Sequence, residues 1–151
     1  MGESDIERLM EDERIIRNRR KIEAVIGNAR AAQALRDDGT DLARLLWSYV
    51  PEKTYAPRTQ EEIPARDETS ARMSADLKAP GFSFVGPTTC FALMEAIGIV
   101  DTHLVTSPRR RSSGLFDADG RRMAGEAGQE RVRSGRIFRI EIDFDHAIAH
   151  A

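Results

Sequence analysis

The stretch Gly81-Phe82-Ser83-Phe84-Val85-Gly86-Pro87-Thr88-Thr89-Cys90 combines two glycines, a short apolar turn and a proline in the order that opens a helix. Glycine lacks a Cβ, so the backbone can turn tightly there and approach a ligand closely. Pro87 fits the first helical position, where a missing N–H costs nothing. The N–H groups of Gly86, Thr88 and Thr89 then face outward at the positive end of a helix dipole, an arrangement that binds phosphate. Nothing in it selects a base, so the stretch reads as a sequence-independent grip on a nucleic-acid backbone. Lys78 stands just upstream as an available cation. The candidate phosphate-binding set is therefore Lys78, Gly81, Gly86, Thr88 and Thr89. A Gly-x-x-x-x-Gly turn between helices also serves as a plain connector, and the surrounding pattern has to decide between the two.

Positioning such a turn requires a helix on each side. One is expected from about 69 to 79, with Met73 and Leu77 inward and Pro80 ending it. After Gly86, Cys90, Leu93, Met94 and Ile97 recur at helical spacing, and Gly98 closes that helix. Phe82, Phe84 and Val85 are expected to lock the hairpin onto the core. Upstream, 5–11 reads as a short helix with Ile6, Leu9 and Met10 on one side. A stronger helix from about 19 to 35 places Ile22, Val25, Ile26 and Ala29 on one face, before Gly39 stops it. Thr40 or Asp41 caps the next helix, which is expected to run to about Val50 with Leu42, Leu45, Leu46 and Tyr49 inward. Trp47 lies in the same apolar helix, which favours a core role over a base-stacking platform. Pro51 ends the helix, and Pro57 and Pro64 keep the following polar stretch irregular. The expected fold class is all-α, a helix-hairpin-helix arrangement.

With 151 residues the chain is one domain's worth. Charged residues make up 32%, yet the formal net charge is −2, so phosphate binding must come from local geometry and a few basic side chains. That balance argues against strong DNA affinity. The run Arg17, Arg19, Arg20 and Lys21 reads as a solvated face. A single cysteine, Cys90, excludes an internal disulfide and suits a reducing cytoplasm; its place on an apolar stripe makes it a small core residue. No apolar run approaches membrane-spanning length and the charged start does not look like a signal peptide. A cytoplasmic protein without membrane contact is expected.

Several blocks in order carry a family resemblance: Ile15-Ile16-Arg17-Asn18-Arg19-Arg20-Lys21-Ile22, Ile26-Gly27-Asn28-Ala29-Arg30-Ala31, Leu46-Trp47-Ser48-Tyr49-Val50, Ser74-Ala75-Asp76-Leu77-Lys78, Gly81 through Thr88, and Val100-Asp101-Thr102-His103. From Ile15 to His103 the chain resembles the DNA-3-methyladenine glycosylase I family, base-excision-repair enzymes related to the helix-hairpin-helix glycosylases. The resemblance implies a helical glycosylase-like domain over 5–107, truncated at its N-terminus, with double-stranded DNA as a weakly and non-specifically bound partner. It also implies a reaction, hydrolysis of the N-glycosidic bond of alkylated adenine. The family's N-terminal segment, with a Cys-x-Trp start, a zinc-ligand histidine and the base pocket's glutamate and aromatics, cannot be placed on a chain that begins Met1-Gly2-Glu3-Ser4-Asp5. A truncated gene model, a late start codon or a genuine gene fragment would each explain that.

The resemblance also implies a metal test. His103 matches the histidine of the family's C-terminal His-x-x-x-Cys, but Ser107 stands where the cysteine belongs, and Thr102 replaces an acidic residue before the histidine. Structural zinc wants four tetrahedral N or S ligands, so no zinc and no other cofactor is expected. No catalytic residue is nominated: Glu95, the carboxylate on the second hairpin helix, falls off the Cys90–Ile97 stripe and is expected in solvent. Two functions from different classes follow. The chain is the DNA-gripping part of a DNA-3-methyladenine glycosylase, or it is a non-enzymatic remnant, a helical DNA-binding module without excision activity.

Beyond Ser107 the resemblance ends, and 108–151 is expected to be a flexible tail, rich in Gly, Arg and Ala up to Gly135. Arg109 to Arg111 would add a weak electrostatic contact with DNA. Within the tail, Phe138, Ile140, Ile142 and Phe144 alternate with Arg139, Glu141, Asp143 and Asp145, a strand pattern. A strand without a partner favours pairing between copies. Self-association through it is one expectation; a frameshifted or fused tail explains the pattern equally well.

Overall fold

The computed structural model describes residues 2–123, and five α-helices carry the fold: α1 (Glu3–Glu11), α2 (Arg19–Asp37), α3 (Leu42–Trp47), α4 (Glu68–Lys78) and α5 (Pro87–Ala96). Each start has a chemical cause. Asn18 opens α2 by accepting the Lys21 amide, and Asp41 opens α3 by accepting that of Ala43. At α4 the Asp67 carboxylate takes the Ser70 amide at 2.6 Å while the Ser70 hydroxyl takes the Asp67 amide at 2.9 Å, a reciprocal box that satisfies two otherwise orphaned donors. α5 differs. Its first residue is Pro87, and Gly86 before it offers no side-chain cap. No named strand forms among the described residues; two isolated antiparallel bridges, Lys53 with Arg121 and Phe116 with Arg122, are the nearest approach. No described helix is long and apolar enough to cross a membrane.

Packing separates into two clusters. In the larger, α4 lies against α5, and Met73, Leu77, Cys90, Met94, Ile99 and Val100 form the buried centre. Trp47, Tyr49, Phe82 and Val85 close around it, so the all-α expectation and the core role of Trp47 and Cys90 hold. In the smaller, α1 packs on α2 through Ile6, Ile22 and Ile26, with Leu9 and Met10 at its edge.

Several expectations change. α2 buries Ala24 and Ala31 beside Ile22 and Ile26, whereas Val25 and Ala29, assigned to the inner face, are exposed. Ala24 and Ala31 lie across the helix from Ile22 and Ile26, so α2 is covered on two sides rather than along one stripe. In the hairpin, Phe82 and Val85 pack inward, but Phe84 is 54% exposed. Finally, the chain does not turn into a flexible tail at Pro108. Residues up to Met123 fold back onto the chain around 52–57, with Leu115 buried and Phe116 fully so. Arg110, expected to reach DNA, is buried instead: its guanidinium donates to the carbonyls of His103 and Tyr55 at 3.0 Å and of Ala118 at 3.3 Å. Irregular backbone has no ladder to satisfy its carbonyls, and one planar cation with five donors satisfies several at once. The alternating segment 138–145 lies outside the described residues.

Candidate nucleic-acid interface

The hairpin is set by how α4 ends. Gly81 adopts φ +104°, its N–H donates to the Lys78 carbonyl at 3.0 Å, and the Phe82 N–H donates to the Leu77 carbonyl at 3.1 Å. These paired bonds with glycine in the left-handed position are the Schellman closure of a helix. The chain then leaves α4 sharply, Phe82 drops into the core, and four residues later Gly86 starts α5.

Between those points the backbone carries unusual conformation and unused donors. Phe84 has φ +57°, a left-handed state that costs a bulky residue about 1–3 kcal/mol and persists only where the surroundings impose it. Among the described residues, no acceptor takes the N–H of Phe84, Val85, Gly86, Thr88 or Thr89; the first amide of α5 to be used is that of Cys90, bonded to the Gly86 carbonyl at 2.9 Å. Thr88 and Thr89 are exposed, Gly86 is half-buried, and a Cβ built on Gly86 would meet nothing within 4 Å. The space over that glycine is open. Amides without an acceptor at and just before a helix N-terminus are the donors an anion uses.

The structure thus brings Gly86, Thr88 and Thr89 together as free donors. Lys78 is exposed at the end of α4. Burial pushes the Cys90 thiol pKa up, and the Lys78 charge pulls against it. Gly81 belongs to the turn and not to the donor set, because its amide is committed to Lys78. The amides of Phe84 and Val85 escaped the sequence reading; the signal available was position, between two glycines ahead of a Pro-initiated helix. Asn28 on α2 escaped it too. It reaches the hairpin, donating to the Ser83 carbonyl at 3.0 Å and accepting the Ser83 amide at 2.8 Å.

Elsewhere, the candidate groups are occupied structurally. Glu95 is half-buried, not in open solvent, and accepts the Thr102 hydroxyl at 2.6 Å. His103 Nδ1 lies 2.8 Å from the buried Asp101 carboxylate, and the other Asp101 oxygen accepts the Arg111 amide at 2.6 Å. The Ser107 hydroxyl accepts the Arg109 amide at 3.2 Å. No group of three or more His, Cys, Asp or Glu among the described residues could hold a metal ion. In the basic run, Arg19 bonds Glu3 and Glu23, while Arg20 and Lys21 are exposed.

The chain is similar to known proteins over most of its length. A family model described as methyladenine glycosylase matches residues 1–110. DNA-3-methyladenine glycosylase 1 of Escherichia coli (strain K12) is 44% identical over 108 residues, covering 70% of this chain and 57% of that protein. The DNA-3-methyladenine glycosylase of Haemophilus influenzae is 36% identical over 110 residues, covering 72% and 60%. A crystal structure of 3-methyladenine DNA glycosylase I superposes with a TM-score of 0.70 at 37% identity, covering 73% of this chain and 62% of that one. The chain therefore spans about three fifths of the length of the relatives it matches.

Proposed function

This chain belongs to the methyladenine glycosylase family, and from that membership we propose that it is the DNA-gripping part of a DNA-3-methyladenine glycosylase. The observation that carries the reading is the row of amides without an acceptor at Phe84, Val85, Gly86, Thr88 and Thr89, in the turn that follows the exposed Lys78. Phosphate oxygens accept from such donors whatever the base, so the grip sets register along a duplex without reading sequence. With a formal net charge of −2 the binding is weak, and it falls steeply with salt.

The reaction assigned to the whole enzyme is base excision: the damaged nucleotide leaves the stack, and the bond joining alkylated adenine to deoxyribose is hydrolysed. Methylation makes the base cationic and a good leaving group, so the enzyme needs a shaped, electrostatically suited pocket more than a strong nucleophile. The hairpin's part is to hold the strand while that pocket takes the base. No described side chain is assigned to bond breaking. A second reading, a helical DNA-binding module without excision, is favoured by one observation: Glu95, the carboxylate on α5, is bound to Thr102.

Release of 3-methyladenine from alkylated duplex separates the two. The chain alone is expected to release little, and the chain joined to the unmatched segment of the Escherichia coli relative is expected to release it readily. A joined protein that folds and binds duplex yet frees no base would sink the enzyme reading. Release by the isolated chain at the rate of an intact relative would sink the assignment to gripping alone. Self-association through 138–145 belongs to the same proposal; sedimentation of the full chain against one ending at Met123 tests it, and identical mass ratios would remove it.

A further inference from the structure

Asn28 lies inside α2, where asparagine is a poor choice because its side chain competes with the helix for backbone partners. Here the side chain leaves the helix altogether. Nδ2–H donates to the Ser83 carbonyl at 3.0 Å, and Oδ1 accepts the Ser83 N–H at 2.8 Å and its hydroxyl at 3.4 Å. One residue's donor and acceptor are thus both taken by one amide side chain, the exchange a neighbouring strand would otherwise provide. The next residue is Phe84, a bulky side chain at φ +57° and 54% exposed, with no burial to hold it there. Directly after it come the unpaired amides of Phe84, Val85 and Gly86.

We propose that Asn28 is the positioning residue of the phosphate grip. By pinning Ser83 at both its N–H and its carbonyl, it forces the left-handed turn at Phe84 and so keeps the following amides ordered and facing solvent. A grip ordered in advance loses less freedom when it closes on an anion. The turn itself would relax without the pin, since only glycine occupies that region freely. This inference rests on the phosphate-binding reading above, but the conformational half of it does not.

The test uses the full chain with Asn28→Ala, which removes both bonds and raises helix propensity at that site. Helicity by circular dichroism is expected to stay. Heteronuclear NMR relaxation should show Ser83 to Gly86 becoming mobile while α4 and α5 keep their rigidity. Duplex affinity at low salt should fall about tenfold, and the same substitution in a Gly86→Val background should cost nothing further, because both act on one set of amides. A role in general stability would instead add to the Gly86 effect. Should Asn28→Ala lower helicity, Asn28→Asp carries the same test: it keeps the size and the bond from the Ser83 amide but loses the donor to the carbonyl.

A hairpin as rigid in the variant as in the parent overturns the proposal, as does parental affinity of Asn28→Ala when Gly86→Val has lost binding. If Gly86→Val itself binds like the parent, the phosphate reading fails, and the relaxation data alone then judge whether Asn28 imposes the turn.

Discussion

The α4–α5 unit and the α1–α2 pair bury their apolar residues to different depths. Around the hairpin, Met73, Met94 and Ile99 have no exposure at all, and Tyr55 sets its ring edge-on to Phe91 at 5.7 Å. In the α1–α2 pair, Ile6, Ile22 and Ile26 each keep a little exposure and, among the described residues, have Leu9 and Met10 packed around them, while Ile16 and Val25 are 85% and 67% exposed. The dense unit fixes where the hairpin stands. The thin one contributes a side chain, Asn28, that reaches across to it. The hairpin thus stands on a well-packed core and receives a contact from a loosely packed neighbour.

Substitutions can break that comparison. The largest effect is expected from Met94→Ala, about 3–4 kcal/mol of lost stability in denaturant unfolding, because a fully enclosed side chain leaves a cavity that cannot collapse. Arg110→Ala should cost about 2–3 kcal/mol by the same measurement, since it strips a charged donor from the carbonyls of His103 and Ala118 and from that of Tyr55, to which they are tied. Ile22→Ala is expected to cost only about 2 kcal/mol, as its lightly covered neighbours can close in. An Ile22→Ala loss equal to that of Met94→Ala would erase the distinction between the two regions.

The smallest effect sharpens the comparison through pH. Burial alone would raise the Asp101 pKa, but the Arg111 amide, the His103 ring and the His103 amide outweigh it and hold the carboxyl below its ordinary range. A depressed native pKa stabilises above the unfolded value of about 3.9 and is lost as pH falls through the native one. Asp101→Asn should therefore cost about 1–2 kcal/mol at neutral pH, by leaving the Arg111 N–H facing a donor, and its deficit should shrink below about pH 4. A deficit independent of pH would show that the charge is not what holds this strap.

Much of the dense unit was legible in the sequence. Met73, Leu77, Cys90 and Met94 recur at helical spacing, Pro80 and Gly81 mark one stop, and Gly86-Pro87 marks one start. What escaped depends on contacts between segments far apart in the chain. Val25 and Ala29 share a stripe with buried residues, and periodicity cannot say which part of a stripe a partner covers. Phe84 looks like one more apolar anchor, yet it turns outward at φ +57°, directly after Ser83, whose N–H donates to Asn28, 55 positions before it. Arg110 sits in a Pro-Arg-Arg-Arg-Ser-Ser-Gly run whose composition reads as a solvated tail. Only the carbonyls of His103, Tyr55 and Ala118 explain its burial.

Binding of undamaged duplex at low salt by the parent chain and by Gly86→Val decides whether the open amides hold DNA. Gly86 has φ −65°, which any residue adopts, and a Cβ there meets nothing within 4 Å, so the variant should fold as the parent does. The expected result is unchanged helicity with loss of duplex binding, because the added side chain stands between the phosphate and the amides. Equal affinity of the two proteins would contradict the account.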